Sequence, residues 1–380
     1  MAEFTAASGD ANPLEDWIRA LVLGKRLPPV EEPAALADFM RFHGFGPLAI
    51  HLDPAGERLG TALFDLLKAQ SREAFVAASE DERVVTELLS RLDDRGVPAL
   101  LMKGAALSVS HYPDMGLRPR GDTDLLVFPE DMAVVAEELG TLGYSPLESP
   151  GDATTVAVMY GRPGRFGLKH TLDLHTEVTS NPHPLLGCLT REVVFANARE
   201  LPGGARVLGD QDALLLAAFH RAQHYGFPGE RLIWLFDIKL LVERLAPVEL
   251  PLLAQRANEA GIASALLHAF VAVERWFGYQ APPALTGELH ADDSALLFDE
   301  DRNVVAAERF MTAMESDLET LQKLAFAWQR LFPPPAFMKE FHGATALTLP
   351  LLYLRRLLQA LRLLGPVLRR LWSPKSRKAS

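Results

Sequence analysis

Cysteine is almost absent: the 380-residue chain has one, Cys188, so no internal disulfide can form. Met1 to Asp10 lacks the basic stretch and following apolar segment of a secretory signal. Together these two absences predict a reducing, cytoplasmic location. Positive charge is in deficit, with 38 Lys and Arg against 49 Asp and Glu and a formal net charge of −11. Bulk nucleic-acid binding is therefore disfavoured, and only a local basic groove would offer a route to it. No internal repeat or low-complexity tract stands out. What remains is ordinary globular composition, 48% hydrophobic and 8% aromatic, in a chain long enough for about two or three domains.

Hydrophobic spacing divides the chain. Leu14, Trp17, Ile18 and Leu21 follow a helical period, as do Leu63, Leu66, Leu67, Val84, Leu88, Leu89 and Leu92 in a run from about Gly60 to Leu92. Asp93-Asp94-Arg95-Gly96 breaks that pattern, and Val97 to Met102 is an apolar run of strand length. A mixed α/β unit is predicted next. Its parts are that strand, a short helix from Ala105, a loop through Pro113 and Pro119, a strand from Asp124 to Phe128, and a helix from about Glu130 to Leu142. Strands from Thr154 to Tyr160 and from Thr171 to Val178 complete it. Helices return with Asp212 to Tyr225 and Arg231 to Leu245 and continue to about Leu331, before Pro333-Pro334-Pro335. The expected organisation is an N-terminal helical segment (1–95), an α/β core (96–208), a helical substrate domain (209–345) and a basic amphipathic tail (346–380).

The tail concentrates the positive charge. Leu351 to Ser380 holds eight Arg or Lys and no Asp or Glu, and Leu354, Leu357, Leu358, Leu361, Leu364 and Leu368 recur at helical spacing. Arginines interrupt the apolar run before the roughly 20 residues that span a membrane. Gly365-Pro366 is expected to kink or break the helix. Two readings stay open: a helix packed on its own domain with solvated arginines, or one that meets an anionic membrane surface or a partner protein.

The chemistry centres on Arg120-Gly121-Asp122-Thr123-Asp124-Leu125-Leu126-Val127. Residues i and i+2 of a strand share a face, so Asp122 and Asp124 can converge on one divalent cation, and Mg²⁺ bound by carboxylates and substrate phosphates suits such a pair. In Thr171 to Val178, alternation puts Asp173, His175 and Glu177 on one face. Asp173 is the candidate third carboxylate, although a solvated edge-strand face has the same pattern. Arg118 and Arg120 are placed to meet phosphate or to hold the acidic loop, and Lys103-Gly104 ends a strand before a helix whose first amides can receive phosphate. His220 and His224 have the i, i+4 spacing of zinc ligands but lack the accompanying Glu or Cys, leaving a packing or a substrate-side role. Asp237, beside Trp234 in an apolar helix, needs a partner such as Arg, Lys or His, with a neighbouring histidine the expected choice.

In this order the residues resemble the uncharacterised nucleotidyltransferase family of the DNA polymerase β-like superfamily: Lys103-Gly104, Arg120, Asp122-x-Asp124-Leu-Leu-Val, Gly143-Tyr144, Asp173-Leu174-His175, a His-containing helix, and Trp234-Leu235-Phe236-Asp237-Ile238. The resemblance covers roughly Asp81 to Ala260. It implies an α+β fold, a small mixed sheet with helices joined to a helical domain. It also implies Asp122, Asp124 and Asp173 as catalytic ligands of two Mg²⁺ ions, with Mn²⁺ as a substitute. Lys103, Gly104, Arg118 and Arg120 would contact the nucleotide, and His175, His220, His224, Trp234 and Asp237 would line the acceptor cleft. One departure stands out. Better-known relatives carry Gly-Ser at the phosphate turn, whereas Ala105 follows Gly104 here, so that hydroxyl is missing. The implied reaction is transfer of an NMP from an NTP to a hydroxyl of a sugar, peptide or other small acceptor. Kinase-like phosphoryl transfer and a catalytically silent nucleotide-binding or scaffold role are the alternatives. Acceptor, base preference and oligomeric state are not readable from these residues.

Overall fold

A computed structural model describes residues 12–147, 157–179, 188–226, 230–299, 302–315, 320–333, 335, 338, 345 and 347–372. Four helices open the chain: α1 (Pro13–Val22), α2 (Pro33–Phe42), α3 (Gly46–Leu52) and α4 (Thr61–Asp94). The Asn12 side chain accepts the Leu14 amide and caps α1. α4 stops where Gly96 adopts a positive φ of 70°, a conformation that costs glycine little.

The α/β unit follows as β1 (Leu100–Met102), α5 (Lys103–Ser110), β2 (Thr123–Leu126), α6 (Met132–Thr141), β3 (Ser145–Pro146), β4 (Ala157–Pro163), β5 (Lys169–His175), α7 (Arg191–Ala196), β6 (Arg199–Glu200) and β7 (Arg206–Val207). The expected start of β4 at Thr154 lies outside the described residues. β5 ends two residues before Glu177, so that carboxylate leaves the strand and pairs with Arg191 at 3.1 Å. β3, β6 and β7, two residues each, are too short to show a period of two.

The strands form one mixed sheet in the order β3-β4-β5-β2-β1-β7-β6. β2 runs antiparallel to β1 and parallel to β5. Alternation sorts the two faces. Leu101, Leu125, Leu172 and Leu174 join Val84, Leu88 and Leu92 of α4 and Val135 and Leu139 of α6 in one core. Leu100, Met102 and Leu126 point the other way, into a larger core with the N-terminal and C-terminal helices. Asp124 is the register partner of Met102, and Asp173 of Asp124, so both aspartates share that second face.

Helices α8 (Asp210–His224), α9 (Leu232–Arg244), α10 (Leu250–Glu259), α11 (Ala263–Phe277), α12 (Pro283–Thr286), α13 (Arg302–Glu315), α14 (Thr320–Leu331) and α15 (Leu349–Trp372) complete the chain. The N-terminal helices pack directly on them: Phe45 meets Phe236 at 5.6 Å and Phe277 at 5.9 Å, and the Arg19 guanidinium donates to the Arg275 carbonyl at 2.7 Å. Each fully buried Leu of this shared core, such as Leu63 or Leu67, contributes about 1.5–3 kcal/mol. The fold is thus the expected α+β one. The expected break at Gly365-Pro366 is absent, because α15 runs through it to Trp372 at the loss of one intrahelical hydrogen bond. Among the described residues no helix is long and apolar enough to cross a membrane.

Candidate active site

β1 delivers the chain to Lys103, the one non-glycine with positive φ (48°) among the described residues. Left-handed backbone at a residue with a Cβ costs roughly 1–2 kcal/mol. The turn aims the side chain at the sheet, and Nζ lies 2.6 Å from Asp124 Oδ1. Gly104 follows because nothing larger fits: a Cβ there would overlap the guanidinium of Arg118.

Arg118 is itself held. Its Nη2 lies 2.7 Å from Asp237 Oδ2 and its Nε 3.3 Å from Oδ1, and the Tyr112 hydroxyl donates to the same carboxylate at 2.8 Å. All three side chains are buried. Burial works against the Arg118 charge, but Asp237 outweighs it and holds the guanidinium above its usual range. Of the expected basic partners for Asp237 the fold thus supplies an arginine, joined by a tyrosine, rather than a neighbouring histidine. Only a tertiary contact across 119 residues makes that pair.

Arg120 is also committed, with Nη2 3.3 Å from Asp81 Oδ2 on α4 and Nη1 donating to Ser108 Oγ at 3.3 Å. Asp81 further pairs with His170 Nδ1 on β5. Two arginines thus pin the segment leading into β2, one to α9 and one to α4. Asp81 and Tyr112 carry no periodicity or motif that would mark them in the sequence.

Asp122 lies just before β2 and keeps contact with solvent, while Asp124 is within the strand and buried. The parallel register places Asp173 directly beside Asp124. His175 Nε2 sits 2.9 Å from Asp124 Oδ1. One ligand atom each from Asp124, Asp173 and His175 falls within 4.8 Å of the others, a group in which Asp122 is not included. Asp173 Oδ1 and His175 Nδ1 are buried without a hydrogen-bond partner.

The charges are unequal in consequence. Burial, reinforced by Asp124 and Asp122, pushes the Asp173 carboxyl up to about 6. Partial desolvation by the cleft walls, together with Asp124, raises Asp122. Burial alone would raise Asp124 too, but the Lys103 charge and the His175 hydrogen bond overcome it and hold this carboxyl well below the usual range.

A cavity of about 540 Å³ opens on this face. Lys103, Gly104, Arg118, Arg120, Asp122 and Asp124 line it from the α/β unit, and His220, His224, Trp234 and Asp237 from α8 and α9. Asp173 and His175 are not among its lining residues. The two α8 histidines and Trp234 form a ring cluster, with His220 centroids 4.6 Å from His224 and 4.8 Å from Trp234. Burial, reinforced by the Lys103 charge, keeps His220 well below the usual imidazole range. Arg41 from α2 and Arg231 at the start of α9 also reach the cavity and carried no motif in the sequence.

Among solved structures, that of the antibiotic-resistance factor ANT(2'')-Ia is 16% identical over 50% of this chain and 97% of its own, with a TM-score of 0.35. A nucleotidyltransferase-like antigenic protein from Paracoccidioides brasiliensis is 17% identical over 57% of this chain and 94% of its own, with a TM-score of 0.37. No curated protein matches the chain. Residues 29–278, more than half of the sequence, match the family described as uncharacterised nucleotidyltransferase. The chain belongs to that family, and the protein is a nucleotidyltransferase.

Proposed function

We propose that the protein transfers an NMP from an NTP to a hydroxyl of a second substrate, with Asp122, Asp124 and Asp173 holding Mg²⁺ and Mn²⁺ able to replace it. The observation carrying this reading is the β2–β5 register, which sets Asp124 and Asp173 side by side on one face of the sheet, with Asp124 lining the cavity. The donor set fits a hard cation: the aspartates offer oxygen ligands, and Asp173 Oδ1 is an unused, buried one. His175, bonded to Asp124, orients that carboxylate from the adjoining strand. When bound, the metal would neutralise phosphate charge and acidify the acceptor hydroxyl.

The remaining work falls to side chains. Lys103 Nζ supplies a point charge for the phosphates, and Gly104 and Ala106 in the first turn of α5 line the same cavity. The acceptor oxygen attacks the α-phosphorus, a new P–O bond forms, pyrophosphate leaves, and the hydroxyl proton passes to Asp173. We read Arg118 and Arg120 as positioning residues, since their aspartate partners lie outside the acidic cluster and tie this segment to α9 and α4, whereas Lys103 pairs with Asp124 of the cluster itself. The cavity beside His220, His224 and Trp234 is large enough for a small acceptor such as a sugar or a peptide side chain.

The test is incubation with Mg²⁺, α-labelled NTPs and a cell extract, followed by mass analysis of whatever becomes labelled. Addition of an NMP, lost in Asp124→Asn, supports the reading. Addition of phosphate alone would replace it with kinase-like transfer.

A further inference from the structure

The C-terminal helix carries a surface that nucleotidyl transfer does not use. α15 packs on α13 and α14 through the side that holds Leu352, Tyr353 and Ala360, and the Tyr353 hydroxyl donates to the Pro333 carbonyl at 2.6 Å. Its leucine stripe faces away from the protein. Leu351, Leu354, Leu358 and Leu361 are 66%, 53%, 53% and 60% exposed. At about 100° per residue these four lie within an arc of ~80°, and Arg355 and Arg362 stand along one edge of it, also exposed. Leu324 and Trp328 add exposed apolar surface on α14. Leu351, Leu354, Leu358 and Leu361 are thus not spent on a core within the protein.

Charge selects the occupant. The whole protein is at −11, yet Leu351 to Ser380 has eight basic residues and no acidic one. A matching surface must therefore offer apolar contact and negative charge along the same line. A second copy meets that poorly, because an identical α15 has no acidic side chain to offer Arg355 and Arg362. A bilayer rich in anionic phospholipid supplies both, with acyl chains for the leucines and phosphate headgroups for the guanidinium groups.

We propose that the outward face of α15, with Leu351, Leu354, Leu358 and Leu361 flanked by Arg355 and Arg362, lies on the surface of an anionic phospholipid bilayer. The helix rests in the interface and does not span it, in keeping with its interrupting arginines. This inference is independent of the reaction assigned to the cavity.

The experiment is co-flotation of the full-length protein with vesicles of phosphatidylcholine alone or mixed with phosphatidylserine. Binding to the mixed vesicles that weakens with salt is expected, with little binding to phosphatidylcholine. Leu354→Ser with Leu358→Ser should reduce it tenfold or more, and loss of each arginine in Arg355→Gln and Arg362→Gln about five-fold. These side chains face solvent, so unchanged circular dichroism and melting confirm that the variants fold. No binding by folded wild type, equal binding to both vesicle types, or full binding by both sets of variants overturns the proposal. So does a dimer, seen by light scattering without vesicle binding, that Leu354→Ser with Leu358→Ser dissociates.

Discussion

Arg118 and Asp237, 119 positions apart, form a buried two-point ion pair that ties the segment before β2 to the middle of α9. It joins the two bodies that line the cavity, and Tyr112 completes the carboxylate's hydrogen bonding. Removing one partner strands the other charge in a medium that cannot solvate it. Arg118→Met or Asp237→Leu should each lower stability by about 3–5 kcal/mol, while the double variant should recover most of the loss. Urea unfolding of the three proteins checks this, and additive losses would show that the two groups do not depend on one another.

The strain at Lys103 makes a separate prediction. Lys103→Ala and Lys103→Gly both remove the ion pair to Asp124, but only glycine relieves the positive φ of 48°. Lys103→Gly should therefore be more stable than Lys103→Ala by about 1 kcal/mol. Equal unfolding midpoints would mean that the turn relaxes when the ammonium group is gone. Both variants should show a raised KM for the NTP.

Asp124→Asn and Asp173→Asn keep shape while removing charge. On the proposed mechanism each should lower NMP transfer by about 10²-fold or more; Asp173→Asn should leave the melting temperature little changed, whereas Asp124→Asn should lower it through loss of the Lys103 pair. Chelation should abolish turnover, and added Mg²⁺ or Mn²⁺ should restore it. Calorimetric titration with Mn²⁺ gives the independent readout: binding should weaken in both variants.

Acid lability should come from buried neutral histidines. His43 accepts the Leu232 amide at Nδ1, and burial first, then the Arg231 charge, hold it at about 4. His111 is held at about 4 and His268 at about 3, each chiefly by burial. A histidine with a folded pKa below its unfolded value of 6.5 adds stability that is complete above pH 6.5 and is lost as pH falls towards 4. For His43 the full loss is about 3 kcal/mol at most. His43→Gln should flatten the fall in melting temperature between pH 7 and pH 4, and an unchanged slope would remove His43 as a source.

How far the chain could be read in advance varies with the range of the interaction. Alternation exposed β2 and β5, and with them Asp124 and Asp173, because a strand's side-chain period depends on immediate neighbours. The helices from Asp210 onward showed themselves in the same way. β3, β6 and β7 stayed hidden because two residues contain no period. Asp81 stayed hidden because an aspartate on a long polar helix resembles any solvated one until Arg120 and His170 arrive from other elements.

The family resemblance implied the α+β class, while residue chemistry and local spacing were enough to expose a mixed α/β unit between helices, the acidic pair, the later Asp-Leu-His strand and an amphipathic basic tail. Each depends on groups within about four positions of one another, where backbone geometry alone sets direction. Three-dimensional packing settled the rest. It placed β5 parallel to β2 so that Asp173 meets Asp124, and gave Asp237 an arginine in place of a histidine. It also turned Leu351, Leu354, Leu358 and Leu361 of α15 outward. Periodicity reveals that a helix has an apolar face. What that face meets depends on shapes contributed by distant parts of the chain, and no local pattern encodes them.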